Sequence, residues 1–230
     1  THSHFDHVGC ASFFQEMYNF RIAGSEKAVE TLKNPEMIEM IDFQNRQIKE
    51  EHGDTSSTTC GMLKNLEKVA KGDKIQVSGD RHFEVIAAPG HSACSIAYLL
   101  LPDRVLFPGD SAGMMEETGK KRPVFFGDYN DYENTLLKLA AVEPEVVAFA
   151  HARHIKGRDD IKKYFSDSLT EARKMKEFLL AELMKSRSLI EIAEDFVSRE
   201  FGAGSVMGNR DAYTMHIAAM ANTLKRDFLK

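Results

Sequence analysis

The 230-residue sequence predicts an α/β fold with a strand-rich middle between two helical regions. Short runs of β-forming residues, separated by turn residues, recur between Lys74 and Phe107. Apolar residues return at helical spacing before this stretch and again from Arg158 onward. A buried strand is expected at Glu145–Ala150, after an amphipathic helix over Asp131–Val142. At this length we expect one large domain, or one domain with an appendage.

The composition is that of an ordinary globular protein, with 43% hydrophobic residues and a formal net charge of −5. No run of like charges is present, so we expect a small-molecule substrate and no nucleic-acid partner. The three cysteines, Cys10, Cys60 and Cys94, are too widely spaced to indicate a disulfide framework or a thiolate zinc site. No apolar run approaches the roughly 20 residues that span a bilayer, so no membrane contact and a cytoplasmic location are expected. A homodimer is one oligomeric state compatible with the sequence.

The first helical region carries no motif of its own. Gly24-Ser25 marks a break and an N-cap, Pro35 suits a first helical position, and Asp54–Thr59 is a polar loop. We expect this region to cap a site rather than to form a separate domain. The predicted helices are Val8–Asn19, Glu26–Leu32, one from Pro35 to near Gly53, and Met62–Ala70.

The later elements are predicted from helix caps and from β-rich runs. Ser188 with Glu191 forms a capping box that opens a helix. Gly202–Gly208 is expected to be a loop, and Asp211 to cap a last helix that ends near Phe228. The predicted strands of the middle region are Ile75–Val77, Phe83–Ile86, Ser95–Leu101 and Arg104–Phe107.

The opening segment holds four potential metal ligands within six positions, namely His2, His4, Asp6 and His7. In an extended segment His2 and His4 point to the same side, because side chains two residues apart share a face. Asp6 and His7 would then point to a second focus. Imidazole and carboxylate groups suit zinc and its first-row neighbours. The alternative is a surface histidine cluster or a purification-tag remnant, and the interleaved Asp6 argues against a tag.

Three further candidate ligands each follow the end of a predicted strand. His91 comes after Ala88-Pro89-Gly90, Asp110 after Phe107-Pro108-Gly109, and His151 after the strand that ends at Ala150. Residues at strand ends can converge at one edge of a sheet, which holds them rigidly. A single histidine in such a place is more often an ordinary surface or core residue. Together with the opening cluster, however, these residues make a set of seven ligands.

These motifs resemble those of the metallo-β-lactamase superfamily, over a region from Thr1 to about Gly157. The resemblance implies an αββα sandwich with a two-metal site at its edge. It rests on His2-Ser3-His4-Phe5-Asp6-His7, Pro89-Gly90-His91-Ser92, Gly109-Asp110-Ser111 and His151 after a strand. By position in the motifs, His2, His4 and His91 would hold the first metal, Asp6, His7 and His151 the second, and Asp110 would bridge them, with His154 as the alternative to His151.

The resemblance also suggests how the chain is divided. Residues 1–157 would form the catalytic core with its helical insert, and residues 158–230 a C-terminal helical lid. Several strands precede the first motif in the superfamily, so we expect the N-terminal part of the fold to be missing from this chain. The helical lid is similar to that of glyoxalase II-like thioesterases and the quinolone-signal response protein. Apolar side chains of the lid would line an acyl pocket or, as we prefer, pack helix against helix: Met175, Leu179, Leu183, Met184, Met207, Met215 and Met220.

The resemblance implies a metal-dependent hydrolase acting on a small ester, thioester or lactone. Two divalent metal ions would lower the pKa of a bridging water and supply a hydroxide that attacks the carbonyl. Asp6 and Asp110 are the predicted catalytic residues, which would fix the geometry and relay a proton. Zinc is the first choice for this ligand set, with iron and manganese as alternatives. Ser92 and Ser111 would donate hydrogen bonds to ligands or serve only as small turn residues.

Other functions are compatible with the same residues. They are a phosphodiesterase, an iron-dependent persulfide dioxygenase, and a signalling or binding protein whose hydrolysis is incidental. All seven predicted ligands lie at or before His151. His216, the histidine of the C-terminal region, is therefore interpreted as a packed or exposed helix residue.

Overall fold

The computed structural model describes residues 1–53, 61–116, 118–151, 153–201 and 209–229. The loops predicted at Asp54–Thr59 and Gly202–Gly208 lie outside the described residues. No helix in these ranges is both long enough and apolar enough to cross a membrane.

The region that follows the opening segment is a helical insert with its own small core. Ser25 Oγ accepts a hydrogen bond from Ala28 N, and Asn34 Oδ1 accepts one from Glu36 N, so each caps a helix. The predicted break and N-cap at Gly24-Ser25 is confirmed. The elements are α1 (Phe5–Val8), α2 (Ala11–Tyr18), β1 (Ile22–Gly24), α3 (Glu26–Lys33), α4 (Pro35–Glu51) and β2 (Leu66–Lys68).

Two predictions for this region need correction. The single helix expected over Val8–Asn19 is broken at Gly9, where the backbone lies against Asn45: a Cβ at Gly9 would come within 2.5 Å of that side chain. The prediction of a helix over Met62–Ala70 is wrong. Leu66 there pairs with Ile22 in a parallel two-stranded sheet, β1 with β2. Tertiary pairing has overridden a local apolar pattern that a helix would also satisfy.

A mixed six-stranded sheet forms the centre of the described structure. Its strand order is β10-β9-β6-β5-β4-β3; β6 and β9 are parallel, and the other neighbours are antiparallel. The antiparallel pair β7-β8 lies outside it. The predicted strands are confirmed within one or two residues at each end. The elements are β3 (Lys74–Ser78), β4 (Arg81–Ala87), β5 (Ile96–Leu101), β6 (Val105–Phe107), β7 (Met114–Met115), β8 (Lys121–Arg122), α5 (Tyr129–Ala141), β9 (Val146–Ala148) and β10 (His154–Lys156).

Three C-terminal helices follow: α6 (Arg158–Leu183), α7 (Leu189–Glu200) and α8 (Arg210–Phe228). The predicted capping box of Ser188 and Glu191 at α7 is confirmed. The predicted cap of α8 is wrong, because Asn209 Oδ1 accepts the hydrogen bond from Ala212 N at 2.7 Å. Asp211 already lies in the first helical turn, where its charge complements the helix dipole.

One large core joins the sheet to the C-terminal helices. Buried strand residues such as Leu99 and Leu106 belong to the same cluster as Leu136 of α5, Leu179 of α6 and Ile217 of α8. Burial of this apolar surface is the main stabilising contribution to the fold. Of the three helices, α6 contacts the sheet at β10, whereas α7 and α8 pack against other helices. A second, smaller core lies in the insert and contains Leu32, Ile38, Ile41 and Leu63.

Candidate metal centre

The opening segment lies against the edge of the sheet that carries the other candidate ligands. Thr1 O accepts a hydrogen bond from Ile96 N, at the start of β5. The Thr1 side chain packs on Gly109: with φ at +54°, a Cβ at Gly109 would come within 2.6 Å of Thr1 Oγ1. The backbone is extended at His4, the N-cap of α1, and the rings of His2 and His4 lie 4.5 Å apart. The predicted shared direction of these two histidines is thus seen in the structure.

The strand-end turns are fastened to one another and to α5. Gly90, with φ at +119°, lies so close to α5 that a Cβ would come within 2.2 Å of the Tyr132 backbone. Thr135 Oγ1 of α5 donates to Pro89 O at 2.8 Å. Ser111 Oγ donates to Ala88 O, also at 2.8 Å. Ser111 therefore joins two turns and does not donate to a candidate ligand.

The first cluster consists of His2, His4 and His91. Nε2 of His91 lies 3.1 Å from Nε2 of His2 and 3.1 Å from Nδ1 of His4. Nδ1 of His91 lies 2.7 Å from Val124 O and donates to it, so Nε2 keeps its lone pair. The three ligand nitrogens lie within 4.8 Å of one another. They form a nitrogen ligand set suited to a first-row divalent metal.

Burial keeps the imidazoles of this cluster neutral. Desolvation lowers the pKa of His91 to about 4, and it also lowers the pKa of His2 and of His4. Repulsion among the histidines adds to the effect at His2, whereas the charges of Asp6 and Asp110 partly oppose it at His4. A neutral imidazole has the lone pair that metal binding requires.

The second cluster consists of Asp6, His7, Asp110 and His151. Nε2 of His7 lies 3.2 Å from Asp110 Oδ2. Nε2 of His151 lies 3.4 Å from Asp110 Oδ1 and 3.4 Å from Asp6 Oδ2. The side chains of Asp6 and His151 are 36% and 31% exposed, so this cluster is open to solvent.

The charges of the second cluster reinforce one another. Contact with the Asp110 carboxylate raises the pKa of His151 above its ordinary value, against the effect of partial burial. Burial alone would raise the pKa of Asp110, but contacts with His151 and His7 outweigh it and hold that pKa well below its usual range. Asp110 is therefore a fixed anion among histidines.

Asp110 lies between the two clusters. Its Oδ2 is 3.6 Å from Nε2 of His91 and 4.0 Å from Nε2 of His2, while Oδ1 faces His151. Asp110 Oδ1 and His151 Nε2 are both buried, and neither has a hydrogen-bond partner among the described residues. Such atoms are costly to bury unless something binds them, and a cation between them would do so. The residues present therefore fit a divalent metal.

His154, the alternative last ligand, lies elsewhere. It is exposed on β10, where it pairs with Ala148 of β9. Neither candidate ligand cluster of the described residues includes it, whereas His151 belongs to the second. The geometry favours His151.

The C-terminal region also reaches the metal centre, which the sequence did not indicate. The ring of His216 on α8 lies 5.1 Å from that of Phe126. Phe126 in turn lies 5.1 Å from His91 and 6.3 Å from His4. His216 is packed, as one of the two expectations had it, but it packs at the edge of the metal centre. The sequence pattern predicts on which face of the helix His216 lies, but it does not predict what that face contacts.

The apolar residues considered for an acyl pocket divide into two groups. Met175, Leu179, Leu183 and Met220 are buried in the main core, where they pack helix against helix. Met184 and Met215 are exposed, and Met207 lies outside the described residues.

A mixed sheet with clustered metal ligands at one edge defines the class of the molecule as a metal-binding α/β protein. Residues 1–151 match the family model described as the metallo-beta-lactamase superfamily, and the chain belongs to that superfamily. Its members are mostly metal-dependent hydrolases. The predicted family and α/β fold class are thereby confirmed.

Individual relatives agree with this assignment. The metallo-beta-lactamase fold-containing protein ST1585 of Sulfurisphaera tokodaii is 28% identical over 162 residues, which make up 66% of this chain and 58% of that relative. This chain thus spans less than two thirds of the relative's length. The solved structure of ST1585 from Sulfolobus tokodaii has a TM-score of 0.63 at 18% identity, covering 99% of this chain and 78% of that one. The family protein TTHA1429 from Thermus thermophilus has a TM-score of 0.64 at 19% identity, covering 97% and 73%. At these identities the solved structures show a shared fold.

Proposed function

We propose that this chain is a hydrolase of small esters, thioesters or lactones that works with two divalent metal ions. The observation that carries the proposal is the position of Asp110, an anion between a neutral three-imidazole cluster and a cluster with a second carboxylate. Metal ions held there supply Lewis-acid activation of a carbonyl and of the attacking water. Membership of a superfamily of mostly metal-dependent hydrolases supports the same reaction type.

The two clusters suggest how the ligands are shared. His2, His4 and His91 would hold the first ion, and Asp6, His7 and His151 the second, with Asp110 between them. The nitrogen-rich set favours zinc, although iron and manganese accept the same ligands. The hydrogen bond from His91 Nδ1 to Val124 O fixes the ring so that Nε2 faces the cluster.

The carboxylates have different tasks in this proposal. Asp110 is buried and ionised, so it would position its neighbours without exchanging protons near neutral pH. Asp6 is partly exposed, and its Oδ2 lies 3.5 Å from His7 Nε2 and 3.4 Å from His151 Nε2. Asp6 is therefore the group placed to pass a proton between the site and solvent or a leaving group.

The first experiment measures metal content in protein purified without added metal, followed by activity on a substrate panel. The panel contains a thioester, a lactone and bis-nitrophenyl phosphate. We expect two equivalents of metal and faster turnover of the acyl substrates than of the phosphate. For substitutions of the candidate ligand Asp110, the matched control is Asp103→Ala, since Asp103 is an exposed carboxylate paired with Arg81 at a distant turn.

Each other outcome points to a different function. Preferential turnover of the phosphate diester would overturn the acyl assignment in favour of a phosphodiesterase. Iron as the bound metal, with oxygen uptake on a persulfide, would indicate a dioxygenase. Absence of turnover across the panel by fully metal-loaded protein would contradict the proposed hydrolysis.

A further inference from the structure

A hollow with a volume of about 260 Å³ lies between β8 and the two helices α6 and α7. It is lined by residues 120–123 on one side and by side chains of the helices on the other. None of the seven candidate metal ligands lines it. The hollow is therefore separate from the metal centre, and the proposed hydrolysis assigns it no task.

Part of the lining is apolar. Phe178 of α6 and Phe196 of α7 face each other there, with their ring centroids 5.3 Å apart. Both side chains are only half-buried, whereas Pro123 and Met175, which also line the hollow, are buried. A guest with a short apolar tail would remove the exposed parts of the two rings from water.

The charged part of the lining carries more positive than negative side chains. The protein as a whole has a net charge of −5, so this is a local reversal of sign. The lysines form ion pairs with neighbouring acids, but such exposed pairs contribute little and can be exchanged for another anion at small cost. The cations of the lining are Lys120, Lys121, Arg122 and Lys174, and its anions are Glu171 and Glu200.

Arg122 differs from the lysines because its side chain is only 5% exposed. Its Nε donates to Glu116 Oε1 at 2.7 Å, and its Nη2 donates to the backbone O of Glu200 at 3.3 Å. Nη1 approaches the Glu200 carboxylate only to 3.8 Å, which is too far for a hydrogen bond. A guanidinium has five N–H donors, and burying such donors without partners is costly. Arg122 therefore has donor capacity left for an anion in the hollow.

We propose that this hollow is a second binding site, which takes a small anion with a short apolar tail. The charged group would lie among Lys121, Arg122 and Lys174, and the tail against the rings of Phe178 and Phe196. The volume is slightly below the ~300 Å³ at which pockets for drug-sized ligands begin, which suits a guest of about ten non-hydrogen atoms. Binding there requires no reaction, so the proposal stands or falls independently of the hydrolase function.

The probe is 1-hexanesulfonate, titrated into the metal-loaded protein and followed by NMR shifts of assigned backbone amides. A sulfonate is a poor metal ligand, so the metal centre competes little for it. Two comparison ligands separate the contributions of charge and tail. Hexyltrimethylammonium has the same tail and the opposite charge, and methanesulfonate has the same charged group with almost no tail.

We expect shifts at residues 120–123 and on the facing sides of α6 and α7, with a dissociation constant on the order of 1 mM for a ligand of this size. Methanesulfonate should bind at least about tenfold more weakly, because several CH₂ groups are no longer buried. Hexyltrimethylammonium should cause no shifts there. Absence of shifts at the hollow, shifts at the metal centre alone, or equal binding of the cationic ligand would overturn the proposal.

Lys121→Gln and Lys163→Gln form a matched pair of variants. Both ammonium groups pair with Asp167, at 3.0 and 3.1 Å, but Lys121 lines the hollow and Lys163 does not. Lys121→Gln should weaken hexanesulfonate binding about threefold, the scale of one exposed ion pair. Lys163→Gln should leave the affinity unchanged. Equal affinities of the two variants would contradict the proposed position of the anion.

Arg122→Lys examines the buried donor, since it keeps the positive charge and loses the planar fork of N–H groups. Binding of hexanesulfonate should weaken by at least about tenfold, the scale of a lost hydrogen bond to a charged group. Melting temperature shows whether the variant is folded. A folded Arg122→Lys with the affinity of the wild type would overturn the assignment of Arg122. If this variant does not fold, the lysine pair and the ligand comparison still decide.

Discussion

Asp110 belongs to the second ligand cluster and also faces the first, and the two clusters differ in burial and in charge. In the first, His2 and His91 are 3% and 1% exposed, and burial keeps the imidazoles neutral. In the second, two carboxylates meet two histidines, and Asp6 and His151 are reached by solvent. The first cluster is therefore a rigid nitrogen site, and the second is an open, anionic one.

This difference indicates how the two positions should behave toward metals and protons. The ring of His91 is fixed by Val124 O and by the turns around it, so the first cluster has its geometry before any ion arrives. His151 follows β9 at an exposed turn and carries a raised pKa. We therefore expect the ion of the second cluster to be the more weakly held and the more sensitive to pH.

The largest effect is expected from Asp110→Ala, because it removes a buried carboxylate that faces both clusters. At least one metal should be lost, and kcat/KM should fall by at least on the order of a hundredfold, since even changes to groups around a ligand cost ~10–100-fold. Elemental analysis and kinetics measure both. Asp103→Ala serves as the control. Full occupancy by two metals in Asp110→Ala would remove its bridging role.

A smaller effect, limited to the second cluster, is expected from His151→Ala. It should lower metal content from two equivalents toward one, because only the second cluster loses a ligand. His154→Ala is a closely matched control, three residues away on exposed β10. It should keep both metals and full activity. Metal loss in His154→Ala, with none in His151→Ala, would mean that the wrong last ligand was assigned.

Acidification should release the two metals in order. His151 has a raised pKa, so as pH falls its nitrogen binds a proton before the histidines of the first cluster do. The pKa of His91 is lowered to about 4, so that nitrogen stays available to metal at lower pH. Metal content followed from pH 8 to 4.5 should fall from two to one and only then to zero. Simultaneous release would show that the clusters are not independent.

The lowered pKa of His91 should also affect the stability of the metal-free protein. Unfolded His91 has a pKa near 6.5, so between about pH 6.5 and 4 the unfolded state binds a proton that the folded state excludes. The free energy of unfolding should therefore decrease as pH falls through this window, by roughly 1.4 kcal/mol for each unit of pKa difference. Chemical denaturation at pH 7.5 and 5 measures it. His91→Phe should show a weaker pH dependence.

The smallest effect is expected from Thr223→Val, which removes the bond between α8 and the loop beside His91. The free energy of unfolding should fall by about 1 kcal/mol, and metal affinity of the first cluster by less than about tenfold. Thr214→Val on the same helix is the control, since Thr214 Oγ1 donates to Arg210 O of α8 itself. If Thr223→Val lowered the affinity for the second metal only, α8 would not support the first cluster as we expect.

The sequence by itself indicated the candidate ligands because metal chemistry restricts both residue type and spacing. The opening histidines alternate, and His91, Asp110 and His151 each follow a strand, so their identities and approximate meeting place could be predicted. The strands of the middle region and the capping box at Ser188 could also be predicted, because each depends on local propensity. Local propensity predicted a helix at Met62–Ala70, but residues of this stretch pair with a distant strand instead.

Only the tertiary structure decided which residues surround the candidate ligands. Val124 O, which fixes the His91 ring, and Phe126 lie more than thirty positions after His91, and His216 lies later still. The position of His216 depends on the packing of α8 against α5, α6 and α7 and on the bond of Thr223 to Phe126 O, a long-range arrangement that no periodicity encodes. Desolvation, which separates the neutral first cluster from the charged second one, likewise depends on the whole fold rather than on neighbouring residues.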